Sequence, residues 1–128
     1  MEIYFQDPSE IPLPPEEVRI RKFTAELWPD GRRVRVYVEV DPFQKRPNVD
    51  LTIRNAQGEE EATASIIESM ERKMELTMHL RRPRGEGGGS YSAEAVLFYT
   101  TQEANEAGEL AEPVHRLIDR SAINFEIR

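Results

Sequence analysis

The chain alternates. Val34, Val36, Val38 and Val40 are interleaved with Arg33, Arg35, Tyr37 and Glu39. Side chains of a strand point to opposite faces with period two, so residues 32–40 read as a strand with one buried and one wet face. Val49, Leu51 and Ile53 repeat the pattern, and Asn55-Ala56-Gln57-Gly58 closes that strand as a hairpin turn. Met74, Leu76, Met78 and Leu80 alternate with Lys73, Glu75, Thr77 and His79 to give another. A long strand follows a glycine-rich loop over 82–89, with Tyr91, Ala93, Ala95, Leu97 and Tyr99 inward. The last strand carries Ile123, Phe125 and Ile127 inward, after a segment Val114–Ile118 and a turn at Asp119-Arg120-Ser121.

The first strand, residues 18–28, changes parity. Val18 and Ile20 are apolar at even positions, Phe23, Ala25 and Leu27 at odd ones. One inserted residue reverses the faces, so a bulge or kink is expected near Arg21-Lys22. Trp28-Pro29-Asp30-Gly31 then supplies a turn. Two-proline loop 41–48 carries Phe43, expected as a lid on the end of the core.

Residues 59–72 read two ways. Ala62, Ile66, Met70 and Met74 recur at i+4, as in a helix; Ala62, Ala64 and Ile66 share one face of a strand. The preceding turn is too short to do anything but return the chain beside the third strand, which favours a strand over 61–68. Residues 101–113, with Glu103, Glu106, Glu109 and Glu112 and no base, are expected as a long loop with at most one helical turn.

Composition adds limits. A chain of 128 residues fits one domain and buries a core without staples. Four of the nine prolines fall in residues 1–17, which predicts an extended arm there and a single domain over 18–128. The arm reads as a tail lying on the domain; the alternative is a docking peptide anchored by Ile3, Tyr4 and Phe5. With no cysteine there is no disulfide framework, thiolate metal site or cysteine nucleophile. The start has no basic, apolar leader, and no window approaches the roughly eighteen apolar residues of a membrane helix, so a bacterial cytoplasmic protein without membrane contact is expected. Seventeen bases against 24 acids give a net charge of −7, which disfavours non-specific nucleic-acid binding.

Short alternating strands joined by frequent turns indicate an all-β, antiparallel two-sheet sandwich. Gly89-x-Tyr91-x-Ala93 resembles the corner that opens the sixth strand of immunoglobulin-like domains. The resemblance implies a tyrosine hydroxyl bonded back to nearby backbone and a core position at Ala93, where the family often has cysteine. Leu51 or Ile53 stands in place of the family's core tryptophan. This likeness extends over 18–128, and it implies a fold and no activity.

The chemical inventory is sparse. His79 and His115 have no ligand spacing to each other, the glycines at 85–89 lack the lysine of a phosphate loop, and Ser90, Ser92 and Ser121 lack a nucleophile-elbow setting. No enzyme activity, cofactor or metal is expected. Two surface features stand out. Pairing the second and fifth strands with 33 near 81 and 35 near 79 would gather Arg33, Arg35, His79, Arg81 and Arg82, with Arg32 and Arg84, at one pole. That pole is a candidate contact for an anion, a sugar or an acidic partner segment. Ile67, Val96 and Phe98 form a candidate apolar face, covered either by the chain itself or by a second subunit. The leading function is a non-catalytic protein–protein interaction module, whether with another protein or by self-association; a small-anion or sugar-binding domain at the arginine pole is the alternative.

Overall fold

In a computed structural model of the chain, residues 11–81 and 89–126 are described. The expected Ile127 position, the Ile3, Tyr4 and Phe5 anchors, and Arg82 and Arg84 lie outside them.

Seven strands form two antiparallel sheets: β1 (Ile20–Leu27), β2 (Arg33–Val40), β3 (Asn48–Asn55), β4 (Glu60–Ile66), β5 (Lys73–His79), β6 (Ser90–Thr101) and β7 (Val114–Glu126). One sheet has the order β1-β2-β5 and the other β4-β3-β6-β7. The protein is thus an all-β sandwich. The alternating valines of β2 and the inward sets of β3 and β6 fill the space between the sheets; Val34, Val36, Val38, Val40, Val49, Leu51, Ile53, Ala95 and Leu97 are essentially inaccessible. Burying such side chains is worth roughly 1.5–3 kcal/mol each against the entropy of ordering the strands.

The parity change in β1 is a register shift between Ile20 and Lys22, with Arg21 the extra residue. The ambiguous stretch is strand β4, paired with β3 from Val49↔Ile66 to Ile53↔Ala62. Leu13 and Phe43 form a parallel bridge, and both pack on the core, so the visible part of the proline-rich segment straps the 41–47 loop to the domain. Leu13 N donates to Pro42 O and Gln44 N to Leu13 O, both at 2.9 Å.

One expectation about the C-terminal third is corrected. Asp119-Arg120-Ser121 is not a turn: β7 runs unbroken through it, with Leu97 opposite Asp119 and Phe98 opposite Leu117. Ile118 is therefore the extra residue of a β-bulge, which bends a strand without ending it. Residues 102–113 are, as expected, the long loop of the β6–β7 hairpin, drawn together by an Ala104↔Leu110 bridge.

That hairpin ends in the same turn that joins β3 to β4. Asn55-Ala56-Gln57-Gly58-Glu59 and Asn105-Glu106-Ala107-Gly108-Glu109 share the pattern Asn-x-x-Gly-Glu. In each, the asparagine Oδ1 accepts from the backbone N–H two and four residues on, at 2.9–3.0 Å. The glycine N–H donates to the asparagine C=O at 3.0 Å in both turns. Gly58 and Gly108 sit at φ 80° and 81°, a left-handed conformation that a β-carbon disfavours.

Candidate interaction surface

The outward faces of the two sheets differ in kind. On the three-stranded sheet, parity puts Lys22, Thr24 and Glu26, then Glu39, Tyr37, Arg35 and Arg33, then Lys73, Glu75, Thr77 and His79 toward solvent. Several of these groups pair with one another. Arg35 pairs with Glu75, and Lys73 lies 3.8 Å from Glu39. The Tyr37 hydroxyl donates to Glu39 at 3.0 Å, and Lys22 Nζ sits 5.5 Å from the centre of the Tyr37 ring. Burial and the Glu39 carboxylate raise the Tyr37 pKa.

The arginine pole is altered by register. Arg33 lies opposite His79 and Arg35 opposite Thr77, two residues from the expected pairing. A slip of two leaves every side chain on its expected face, so the hydrophobic pattern does not register it. Arg33 is held by Asp30 at 2.7 Å and lies over the Trp28 ring, 4.1 Å from its centre. The Arg32 backbone N–H, then the Arg33 guanidinium, hold the Asp30 carboxyl below its ordinary range. Arg81 turns away from β2, its backbone N–H donating to Glu61 O at 2.9 Å. Arg33 and Arg35 are thus already engaged by carboxylates of the β1–β2 turn and of β5; His79 and Arg81 are exposed, and Arg82 lies outside the described residues.

The outward face of the four-stranded sheet is apolar along one cross-strand row. Phe98 pairs with Asn48 on β3 and with Leu117 on β7. Glu68 N donates to Asn48 Oδ1 at 2.7 Å, so the chain after β4 passes beside this row and carries Ile67 there. Phe98 is buried, with the His115 ring stacked on it at 4.9 Å. Ile67 and Leu117 flank it and are 65% and 71% exposed. Val96, half-buried, begins the next row, where Ser65 Oγ donates to Asp50 at 2.7 Å and Arg120 pairs with Glu94. Asp50, Thr52, Val96, Leu117, Ile118 and Arg120 are among the residues lining a shallow groove on this face.

Of the three apolar residues expected on this face, the structure brings Phe98 and Val96 together with Ile67 at the edge, and part of the cover over Phe98 is the chain's own His115. Leu117 was not expected here. Its odd number matches the inward Ile123 and Phe125, but the bulge at Ile118 intervenes: Phe125 and Ile123 face Tyr91 and Ala93 of the core set, while Leu117 faces outward beside Phe98. Bulges of this kind re-aim a side chain. Of the corner resemblance, Tyr91 opens β6, is buried and stacks on Phe125 at 5.5 Å. Ala93 is a core position. At the other end of β6, the Tyr99 hydroxyl donates to Lys45 O at 3.0 Å.

Among the described residues no group of three or more His, Asp or Glu side chains could hold a metal ion, and no helix is long and apolar enough to cross a membrane.

No protein-family model and no curated protein matches the chain. Solved structures do. A β-glucuronidase from Bifidobacterium dentium superposes with a TM-score of 0.52 at 18% identity, over 88% of this chain and 18% of that one. A β-glucuronidase from Ruminococcus gnavus gives 0.43 at 17% identity, over 88% of this chain and 16% of that one. The first likeness is one of fold, and this chain spans less than a fifth of the enzyme's length.

Proposed function

We propose that the chain is a non-catalytic, immunoglobulin-like interaction module that meets a protein partner through the outward face of its four-stranded sheet. Leu117 carries this reading. The Ile118 bulge turns a large apolar side chain to solvent in line with Phe98 and Ile67, whereas the opposite sheet covers its outward face with mutually paired charges. Apolar contacts held in a row on a rigid sheet suit a docking surface, since little ordering is needed on binding. The order β1-β2-β5 against β4-β3-β6-β7, with Tyr91 opening the sixth strand and Ala93 in the core, supports the immunoglobulin-like assignment. The likeness to a small part of a β-glucuronidase supports the sandwich fold alone. Prior engagement of Arg33 and Arg35 weighs against an anion or sugar site at their pole. The acidic balance weighs against nucleic acid as the partner.

Site-specific photo-crosslinking tests the surface. A benzophenone side chain at Leu117 is expected to give a discrete adduct with a partner protein, and the same group at Thr24 on the other sheet none. Equal or absent adducts at both positions would remove the support for this face. A thermal-shift panel of glucuronic acid, other sugars, phosphate and nucleotides tests the alternative: a saturable rise in Tm with any of them would favour a ligand-binding domain.

A further inference from the structure

The sandwich has four edge strands, β1, β5, β4 and β7. An edge offers a row of backbone donors and acceptors to any other strand, and proteins blunt edges with charge, proline, bulges or cover. Three of the four are blunted. β1 has the bulge at Arg21, and its first N–H, that of Ile20, is taken by Asp119 Oδ2 at 2.9 Å. β5 carries Lys73, Glu75 and His79 along its length. β7 has the bulge at Ile118 among Arg116, Asp119 and Arg120, and its uncharged stretch from Ser121 to Phe125 lies against β1.

β4 differs. Ala62-Thr63-Ala64-Ser65-Ile66-Ile67 contains no charge and no proline. The strand's irregularity, Glu61, sits ahead of this run. Among the described residues, the backbone bond on the side away from β3 is that from Arg81 N to Glu61 O, also ahead of the run. A groove between β4 and β5, lined by Ala62, Thr63, Ala64 and Thr77 among others, lies along the open side. Six uncharged residues, of which Thr63, Ile66 and Ile67 are β-branched strand formers, lie on an edge that pairs with no other strand among the described residues, and such an edge is a template for strand pairing.

We propose that β4 pairs antiparallel with β4 of a second copy of this chain, about a two-fold axis at Ala64. The sequence is self-complementary in that register. Ala62 falls opposite Ile66 of the other copy and Thr63 opposite Ser65, so no like charges meet within the run. A two-fold contact uses the same patch on both copies and closes on itself, which ends the assembly at a dimer. The two four-stranded sheets become one of eight strands, and the Ile67 ends of both apolar rows come to lie near the joint. This pairing goes beyond the docking surface proposed above and does not depend on it.

The test uses charge exchange. Thr63 and Ser65 are exposed, and the double variant T63K/S65K sets lysine against lysine twice in the paired dimer, as T63E/S65E sets glutamate against glutamate. In multi-angle light scattering, the wild type is expected at twice the chain mass at high concentration and each variant at the single mass. An equimolar mixture of the two variants is expected to return to the double mass, because lysine now meets glutamate. Hydrogen exchange on the unmodified chain gives an independent reading: amides of 62–66 gain protection as concentration rises, while those of β1 and β5 do not. A wild type that stays single with no concentration-dependent protection in β4 would overturn the proposal. So would variants that dimerise as the wild type does. Loss of the photo-crosslink at Leu117 with the β4 dimer intact would sink the docking surface alone.

Discussion

The repeated Asn-x-x-Gly-Glu turn allows one substitution to be measured twice in the same molecule. At the exposed hairpin tip, Asn105→Ala removes two bonds that Oδ1 accepts from backbone N–H groups, which water then reaches. Net hydrogen-bond contributions of about 0.5–1.5 kcal/mol, discounted for that access, put the cost at about 1 kcal/mol. At Asn55 the same two bonds are lost, and Nδ2 no longer donates to Glu61 Oε2 at 2.9 Å or, at a longer 3.3 Å, to the exposed Glu59 Oε1. Glu61 is 1% exposed, so its carboxylate loses a donor where water cannot replace it. A bond to a charged group adds about 1.5–3 kcal/mol, for a total near 3 kcal/mol. The difference of about 2 kcal/mol is roughly a thirty-fold change in the folding equilibrium. Urea unfolding followed by Trp28 fluorescence and circular dichroism measures it, with equal m-values as the condition for comparing midpoints. A further pair sharpens the assignment. Asn→Asp keeps the turn acceptor, so N105D is near neutral, while N55D sets a second carboxylate against Glu61 and costs at least as much as N55A. Equal losses for N55A and N105A would refute the argument that the buried carboxylate sets the difference.

Other outcomes follow from single contacts. Phe98→Ala is expected to cost about 3–5 kcal/mol because the ring is buried under His115, whereas Leu117→Ala, at an exposed position, stays within about 0.5 kcal/mol in the same urea assay. Burial, and then the Glu16 carboxylate, push the Tyr99 hydroxyl up to about 12. Its folded pKa lies above the ordinary value of about 10, so the neutral form stabilises the fold below pH 10 and that contribution is lost between about pH 10 and 12. Tyr99→Phe is expected to flatten stability against pH in that window and to cost about 1 kcal/mol below it, through the lost bond to Lys45 O. Glu68 holds φ 46°, so Glu68→Gly relieves strain and is expected to raise stability by a few tenths to about 1 kcal/mol; a drop would mean the Glu68 side chain holds the 67–69 segment in place.

The sandwich was legible because period-two alternation is long and unbroken in β2, β3, β5 and β6. The two bulges show where that signal ends. At Arg21 the apolar residues themselves change parity, from Ile20 to Phe23, so the kink can be read directly. At Ile118 the apolar residues keep odd positions on both sides of the bulge, Leu117 before and Ile123 after. Period two therefore reads as continuous while the face reverses, and Leu117 lands on the outside. The break that the sequence did suggest, at Asp119-Arg120-Ser121, is polar because these residues reach the sheet face and edge: Arg120 to Glu94, Asp119 to the Ile20 N–H. The second turn was legible in principle, since residues 105–109 repeat the pattern of 55–59, but the surrounding glutamates and Pro113 hid the strand ends it joins. The β2–β5 register was beyond reach, because a slip of two changes partners and no faces.

The charge balance constrains how such a molecule can meet another copy of itself. Seven excess negative charges repel a second copy at long range, but the repulsion is screened within about 8 Å at physiological ionic strength. What decides association is then the local patch. The outward face of the three-stranded sheet presents carboxylates and bases already matched, so a second copy would have to break those pairs or bury them, and burying matched ions returns little. The β4 run from Ala62 to Ile67 asks for neither: it brings no charge to the joint, and the groups it buries are backbone donors and acceptors that find each other. A strongly acidic chain and an uncharged edge are therefore compatible features. The first suppresses contact over much of the surface, and the second, like the apolar row at Phe98 and Leu117, leaves a place where contact is not penalised.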